Sequence, residues 1–200
     1  EIDRDSLTLF MRHNNVPAPW SIYKGIKKLP PANFVVIRES GRHVSEPHCY
    51  WNLGGVAEQG VASPIKDVET LTDELDGLLR EAVHSRMASD VPLGAFLSGG
   101  YDSTMVAALM QAQSSRPVKT FTIGFNEQGY NEAVHAKAVA KHLGTDHTEL
   151  YVSAEEAMAV IPRLPSVWDE PFSDSSQIPT LLVSELARLH VTVSLSGDGG

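Results

Sequence analysis

An apolar run that breaks off at a pair of glycines constrains this chain more than any other feature. Val91-Pro92-Leu93-Gly94-Ala95-Phe96-Leu97 is continuous in apolar character, as expected of a strand covered on both faces. It stops at Ser98-Gly99-Gly100-Tyr101-Asp102-Ser103, and an Ala-rich helical pattern follows over 104–113. Strand, tight turn and helix in that order make a phosphate-binding junction. The glycines permit positive φ and close approach of the backbone to an anion, the Ser98 and Ser103 hydroxyls add donors, and the first N–H groups of the helix are unpaired. Asp102 fits only if a cation stands between its carboxylate and the phosphate, and Mg²⁺ is the natural choice. The plain alternative is that Asp102 caps the helix and the glycines serve the turn alone.

The rest of the second half repeats the alternation. Further apolar strands are expected over 118–125, 147–152 and 191–195, with a helix over 131–143 ended by Gly144, a capping box at Ser153-Ala154-Glu155-Glu156, and a helix with Pro179 in its first turn ending near His190. This order predicts an α/β fold with a parallel, doubly wound sheet, whose ligands bind beyond the carboxyl ends of the strands where strand order reverses. The last strand ends Leu195-Ser196-Gly197-Asp198-Gly199-Gly200, repeating the chemistry of the first loop. If the first and fourth strands are neighbours at the reversal, the two loops face each other across one crevice. Neither Gly-x-x-x-x-Gly-Lys-[Ser/Thr] nor Gly-x-Gly-x-x-Gly occurs, so the usual P-loop and dinucleotide signatures are absent.

The first sixty residues read differently. A short helix over 3–13, a strand over 33–38, a turn over 39–42 and a partner strand over 43–51, broken by Pro47 and hence an edge, suggest the tail of a β-rich domain. Roughly fifty residues are too few to bury an independent core easily. The small and polar residues of 52–64 predict a linker, with a domain boundary near residue 60. Beyond it Leu71, Leu75, Leu78, Leu79, Ala82, Val83 and Met87 recur at helical spacing and are expected to lie in the core.

A hydrophobic content of 42% indicates a folded chain, and a formal charge of −9 argues against a broad nucleic-acid or membrane-surface footprint. No apolar run reaches transmembrane length. Cys49 is alone, so no disulfide framework or Cys-based zinc site is expected, which suits a reducing, cytoplasmic setting. His135 and His142 stand seven apart on one helix face without a carboxylate at ligand spacing, and these two and His147 are expected on the surface or in packing; Trp51 and Trp168 are expected in packing rather than as a stacking platform. Asp169-Glu170-Pro171 has the composition of a turn. The chain begins at Glu1 without Met and ends inside a glycine-rich loop, which reads as a fragment.

Ser98-Gly99-Gly100-Tyr101-Asp102-Ser103 resembles the Ser-Gly-Gly-x-Asp-Ser signature of the ATP pyrophosphatases, the PP-loop or adenine nucleotide alpha hydrolase-like proteins. Phe121-Thr122-Ile123-Gly124-Phe125, Tyr130-Asn131-Glu132, Asp169-Glu170-Pro171 and Ser196-Gly197-Asp198-Gly199-Gly200 narrow the resemblance to the synthetase domain of glutamine-dependent asparagine synthetases. Val16-Pro17-Ala18-Pro19, the stretch from Ile22 to Pro31 and Tyr50-Trp51 resemble the close of that family's N-terminal-nucleophile glutaminase domain. The resemblance implies two domain pieces: 1–58 as the glutaminase tail and 65–200 as the first part of the synthetase domain.

It also implies a ligase of asparagine biosynthesis that adenylates the side-chain carboxylate of aspartate with ATP, transfers glutamine-derived ammonia and releases AMP and pyrophosphate. Relatives acting on sugar, peptide or β-amino acid carboxylates, and a silent nucleotide-binding homologue, are the alternatives. On this reading Ser98, Gly99, Gly100, Asp102 and Ser103 hold pyrophosphate, with Asp102 on Mg²⁺. Phe96 and Ile123 meet the adenosine, Ser196 and Gly197 also bind the nucleotide, and Asp169-Glu170-Pro171, with Asp174 and Ser175 nearby, comes to the rim of the active site. Asp198 stands where the family has an acidic residue linked to forming the β-aspartyl adenylate, so Asp102 and Asp198 are the candidate catalytic residues. The family's terminal cysteine nucleophile and a second acidic pair fall outside the chain, which is therefore expected to be inactive alone. Nucleic acid and membrane are not expected partners; the resemblance allows a homodimer, and the residues themselves set no oligomeric state.

Overall fold

The computed structural model describes residues 1–64, 67–126 and 132–198. In chain order its elements are α1 (Arg4–His13), β1 (Asn33–Phe34), β2 (Ile37–Arg38), β3 (His43–Val44), β4 (His48–Cys49), α2 (Leu53–Ala62), α3 (Val68–Met87), β5 (Leu93–Phe96) and α4 (Tyr101–Ala112). There follow β6 (Lys119–Phe125), α5 (Ala133–Leu143), β7 (Asp146–Val152), α6 (Ala154–Ala159), α7 (Leu164–Val167), α8 (Gln177–Arg188) and β8 (Val193–Leu195). They form two compact units: Glu1–Val68 with Arg163–Asp174, and Glu69–Pro162 with Ser175–Gly200.

In the first unit, the Asp3 carboxylate accepts the Asp5 and Ser6 N–H groups at the start of α1, and Asn14 in the left-handed region ends the helix. The two expected strands of the hairpin are each interrupted. β1 pairs antiparallel with β4 (Phe34↔His48) and β2 with β3 (Ile37↔Val44), so the return strand carries one residue more than its partner between those pairs. Such an insertion is a bulge. Ser45 spans the break, its N–H donating to the Val36 carbonyl and its hydroxyl accepting the Val36 N–H. The stretch expected to be a linker holds a helix instead. Asn52 accepts the Gly55 N–H, and this cap with Leu53, the two alanines, Glu58 and Gln59 outweighs the glycine content of α2. Val16 and Ile22 are the buried apolar residues of this unit, with Ser6 and Ser21 buried beside them in the same unit.

The second unit is the α/β fold with a parallel sheet. Strand order is β7-β6-β5-β8, all pairs parallel, so the chain winds outward from β5 to β7 and then returns to the other side of β5. Strand order therefore reverses between β5 and β8. Ala95, Leu97 and Phe121 are almost completely buried. Gly94 is required where β5 crosses the Phe121 ring, because a Cβ there would lie 2.8 Å from that ring and 2.9 Å from the Lys119 carbonyl. Three apolar clusters cover the sheet: Val83, Ala95, Leu109, Met110 and Val118; Leu97, Ala107, Ala136 and Ala140; and Phe121, Ala187 and Val191. The α3 stripe joins the core only through its C-terminal half, where Val83 is buried and Leu79 and Met87 are partly buried. Leu71, Leu75 and Leu78, expected inside, are instead 45%, 53% and 65% exposed, while Leu79, Val83 and Met87 of the same helix pack on the core. Gly144 at φ 72° ends α5, and Ser153 with Glu156 forms the full capping box of α6. Among the described residues no helix is long and apolar enough to cross a membrane.

Candidate functional site

The site begins where β5 ends. Leu97 is fixed from two sides: its N–H donates to the Phe121 carbonyl at 2.9 Å, and its carbonyl accepts the hydroxyl of buried Thr122. The next residues fold around two hydroxyls. Ser103 Oγ accepts the Ser98 N–H at 3.2 Å and lies 2.9 Å from Ser98 Oγ, which in turn accepts the Gly100 N–H at 3.3 Å. Gly99 takes φ 85°, and a Cβ on it would lie 2.8 Å from the Ala136 nitrogen, so both conformation and space demand glycine. Gly100 holds the N-cap position just before α4, and it supplies no side-chain cap. The capping alternative for Asp102 is thereby excluded. Its carboxylate sits in the first turn of α4, exposed, and among the described residues it makes no hydrogen bond or ion pair.

The loop after β8 lies against this turn. A Cβ on Gly197 would be 2.7 Å from the Ser103 nitrogen and 2.9 Å from Asp102 Cβ. The condition set by the sequence is met, since β5 and β8 are hydrogen-bonded neighbours with Leu93↔Val193 and Ala95↔Leu195 in register. Asp198 N–H donates to Ser196 Oγ at 3.3 Å within that second loop. Both loops open on a cavity of about 780 Å³. Phe96, Ser98, Gly100, Asp102, Ser103, Ile123, Ser196, Gly197 and Asp198 line it; Gly99 lies beneath the loop against α5. The cavity also has a wall of which only Ser175 has a counterpart among the residues expected near the site. Ser175, Ser176, Ile178, Pro179, Thr180 and Val183 line it at the start of α8, with Glu132 and Phe125 alongside. Pro179 in the first turn of a helix was the visible signal for that wall, but nothing local says where such a helix packs.

Asp169-Glu170-Pro171 does not line the cavity; of Asp174 and Ser175 beside it, Ser175 does. The motif belongs to the first unit, where Glu170 Oε1 accepts the Ile22 N–H at 2.7 Å and its other oxygen pairs with Lys28 Nζ. Burial by itself would raise the Glu170 carboxyl, but the bonds from Lys28, Ile22 and Ser21 outweigh it and hold the carboxyl below the ordinary carboxylate value. His147 is half-buried with its side chain largely covered; Nδ1 lies 2.9 Å from the Thr120 hydroxyl, and Nε2 makes no hydrogen bond among the described residues but lies 3.8 Å from Glu149 Oε1. Burial lowers its pKa, against the pull of Glu149. His135 and His142 are exposed, and among the described residues no group of three metal-ligating side chains forms. Trp168 meets Phe172 edge to face at 5.2 Å, while Trp51 is half exposed. Tyr130, Asn131, Gly199 and Gly200 lie outside the described residues.

Fold and cleft define an α/β protein with two Ser-Gly-acid loops meeting at the carboxyl end of a parallel sheet, at its strand reversal. The chain belongs to the asparagine synthase family, whose model matches residues 74–200. A Methanocaldococcus jannaschii protein provisionally named glutamine-hydrolyzing asparagine synthetase 2 is 38% identical over 200 residues, covering 100% of this chain and 37% of its own length. Glutamine-hydrolyzing asparagine synthetase 1 of Bacillus subtilis is 34% identical over 204 residues, covering 100% of this chain and 30% of its own. The chain thus spans about a third of the length of these curated relatives. Among solved structures, an NH3-dependent NAD synthetase from Campylobacter jejuni matches 62% of this chain and 53% of its own at 17% identity and a TM-score of 0.38.

Proposed function

We propose that this chain carries the nucleotide site of an ATP-dependent amide-forming ligase, an asparagine synthetase that adenylates aspartate and passes ammonia from glutamine to the acyl adenylate. The observation that carries this reading is Asp102, a carboxylate with no partner among the described residues, held between hydroxyl-rich and glycine-rich loops at the mouth of the cavity. Membership of the family and the names of the full-length relatives support the choice of reaction. Residues 1–58 belong to a glutaminase domain and 65–200 to the synthetase domain.

In the proposed reaction an oxygen of the substrate carboxylate attacks the α-phosphorus of ATP. The bond to the β-phosphate breaks and pyrophosphate leaves with the electron pair. Ammonia then adds to the acyl carbon, AMP departs, and the amide remains after loss of a proton to water. The work of this chain is to position and neutralise. Ser98, Gly99, Gly100 and Ser103 present hydroxyls and N–H groups of the first turn of α4 to the pyrophosphate. Phe96 and Ile123 supply apolar contact to adenosine, and Ser196 and Gly197 hold the nucleotide from the second loop. Asp198 faces the reacting carboxylate. Asp102 suits Mg²⁺, which takes one or two carboxylates and fills its remaining positions with water and phosphate oxygens; bound there it would neutralise phosphate charge. A protein carrying the complete sequence should release pyrophosphate from ATP only when aspartate is present. Release with another carboxylate and none with aspartate would reassign the substrate.

A further inference from the structure

Within the second unit, one face of β7 carries His147, Glu149 and Tyr151, in register with Thr120, Thr122 and Gly124 of β6. Glu149 is the centre of this row. Its side chain is only 14% exposed, and three groups converge on its carboxylate. Tyr151 Oη donates to Oε2 at 3.0 Å, Lys137 Nζ of α5 lies 3.1 Å from Oε1, and His147 Nε2 lies 3.8 Å from Oε1. A carboxylate so covered keeps its partners, because losing one leaves the charge poorly solvated. Lys137, His147, Glu149 and Tyr151 stand outside the cavity lining, but what they hold does not. The Tyr151 ring closes over Gly124, where a Cβ would lie 2.7 Å from a ring carbon and 2.9 Å from Ala133 Cβ of α5. Gly124 stands between Ile123 and Phe125, both on the cavity wall. The same end of α5 meets the phosphate loop, since Ala136 N and His135 Cβ each lie 2.8 Å from the place of a Cβ on Gly99. The buried residues of α5 are Ala133, Ala136 and Ala140. Methyl groups add little apolar burial, so they bring the helix close without fixing where it sits.

We infer that Glu149 is a positioning residue for the nucleotide cavity: it holds the Tyr151 ring over Gly124 and, through Lys137, holds the start of α5 against Gly99. One carboxylate thereby sets both the strand end that faces the adenosine and the loop that faces the phosphates. The inference rests on the proposed nucleotide reading for its ligands, but not for its mechanics. Lys137 is 69% exposed, so its pair with Glu149 adds little to overall stability and acts on the placement of α5. The two arms end at different parts of the cavity, which makes them separable: Tyr151 acts at the adenosine end and Lys137 at the phosphate end.

The test compares the parent chain with Glu149→Ala, Tyr151→Phe, Lys137→Met and the conservative Lys137→Arg. Readouts are thermal midpoint, amide hydrogen exchange, and affinity for AMP and for Mg-pyrophosphate well below the midpoint. Glu149→Ala should speed exchange of the 98–103 and 121–125 amides about tenfold. It should weaken both ligands about fivefold. Tyr151→Phe, which keeps the ring and removes its bond to Glu149, should weaken AMP about fivefold and leave pyrophosphate near the parent. Lys137→Met should weaken pyrophosphate by about the same factor, with Lys137→Arg near the parent. Parent-like affinity for both ligands in Glu149→Ala, with faster exchange confined to residues 133–137 and 147–151, would overturn the inference and leave Glu149 a local fastening. Equal losses of both ligands in every variant, in step with a lower midpoint, would show general loosening and overturn it as well. Should Glu149→Ala not fold, Tyr151→Phe and Lys137→Met decide, since each removes one bond to Glu149 from a side chain at the surface. If the parent binds neither ligand, the nucleotide reading falls, while the exchange pattern still decides whether Glu149 sets Gly99 and Gly124.

Discussion

The backbone nitrogen of Ser103 occupies the place a side chain on Gly197 would need, 2.7 Å from the Cβ position. The two loops at the strand reversal are therefore packed backbone to backbone, and the cavity they share has a fixed mouth. Gly197→Ala has to push the loop after β8 away from the first turn of α4. The expected cost is about 1–3 kcal/mol of stability, as for other overpacked sites. Mg-ATP affinity should fall at least tenfold in the same variant, measured by urea titration and calorimetry. Parent-like affinity would show that the loop contact is not part of the site.

Asp102→Ala separates a ligand role from a structural one. Because Gly100, not Asp102, holds the N-cap of α4 and Asp102 bonds to nothing among the described residues, removing its carboxylate should change stability by no more than about 0.5 kcal/mol. Saturable Mg-ATP binding should be lost. A large loss of stability with nucleotide binding intact would assign the carboxylate to the fold.

Thr122→Val keeps the shape of β6 but strips the donor from the Leu97 carbonyl, the last peptide before the phosphate loop. An unsatisfied buried carbonyl costs about 1–3 kcal/mol. Denaturant midpoints should show that loss, and exchange of the 98–103 amides should quicken.

His147 gives the fold a dependence on pH. Burial keeps its pKa below the ordinary value of 6.5, so the folded state holds it neutral while the unfolded chain takes up a proton as pH drops past that value. Stability is then complete above 6.5 and declines as pH falls toward the folded pKa. The slope is limited to about 1.4 kcal/mol per pH unit for one proton. Glu149, whose carboxyl burial would raise but Lys137 and Tyr151 hold down, adds a further loss as pH falls through 4.5. Urea titrations between pH 7.5 and 5.5 should show the first decline in the parent and a flat response in His147→Gln. An unchanged slope in that variant would place the titrating group elsewhere.

The parallel sheet and both glycine loops were legible because each depends on local chemistry: an apolar run for a doubly covered strand, and paired glycines where φ turns positive. Gly99 is the clearest instance, at φ 85° with no room for a Cβ. What the sequence concealed depends on distant partners. Helical periodicity marked Leu71, Leu75 and Leu78 as one face without saying what they meet, and all are exposed. Glycines in Leu53–Ala62 suggested a linker, yet one Asn52 cap starts a helix there. Glu170 finds its partner amide 148 residues away, and no local pattern encodes a bond of that span.

Calorimetric titration of Mg-ATP into this chain, beside Asp102→Ala and Gly99→Val, bears on the proposed site before any question of catalysis. Saturable binding at one site, abolished by both substitutions while circular dichroism shows the Asp102 variant folded, is the expected result. Binding that survives both would place the nucleotide away from the loop at the end of β5 and contradict the assignment of the cavity.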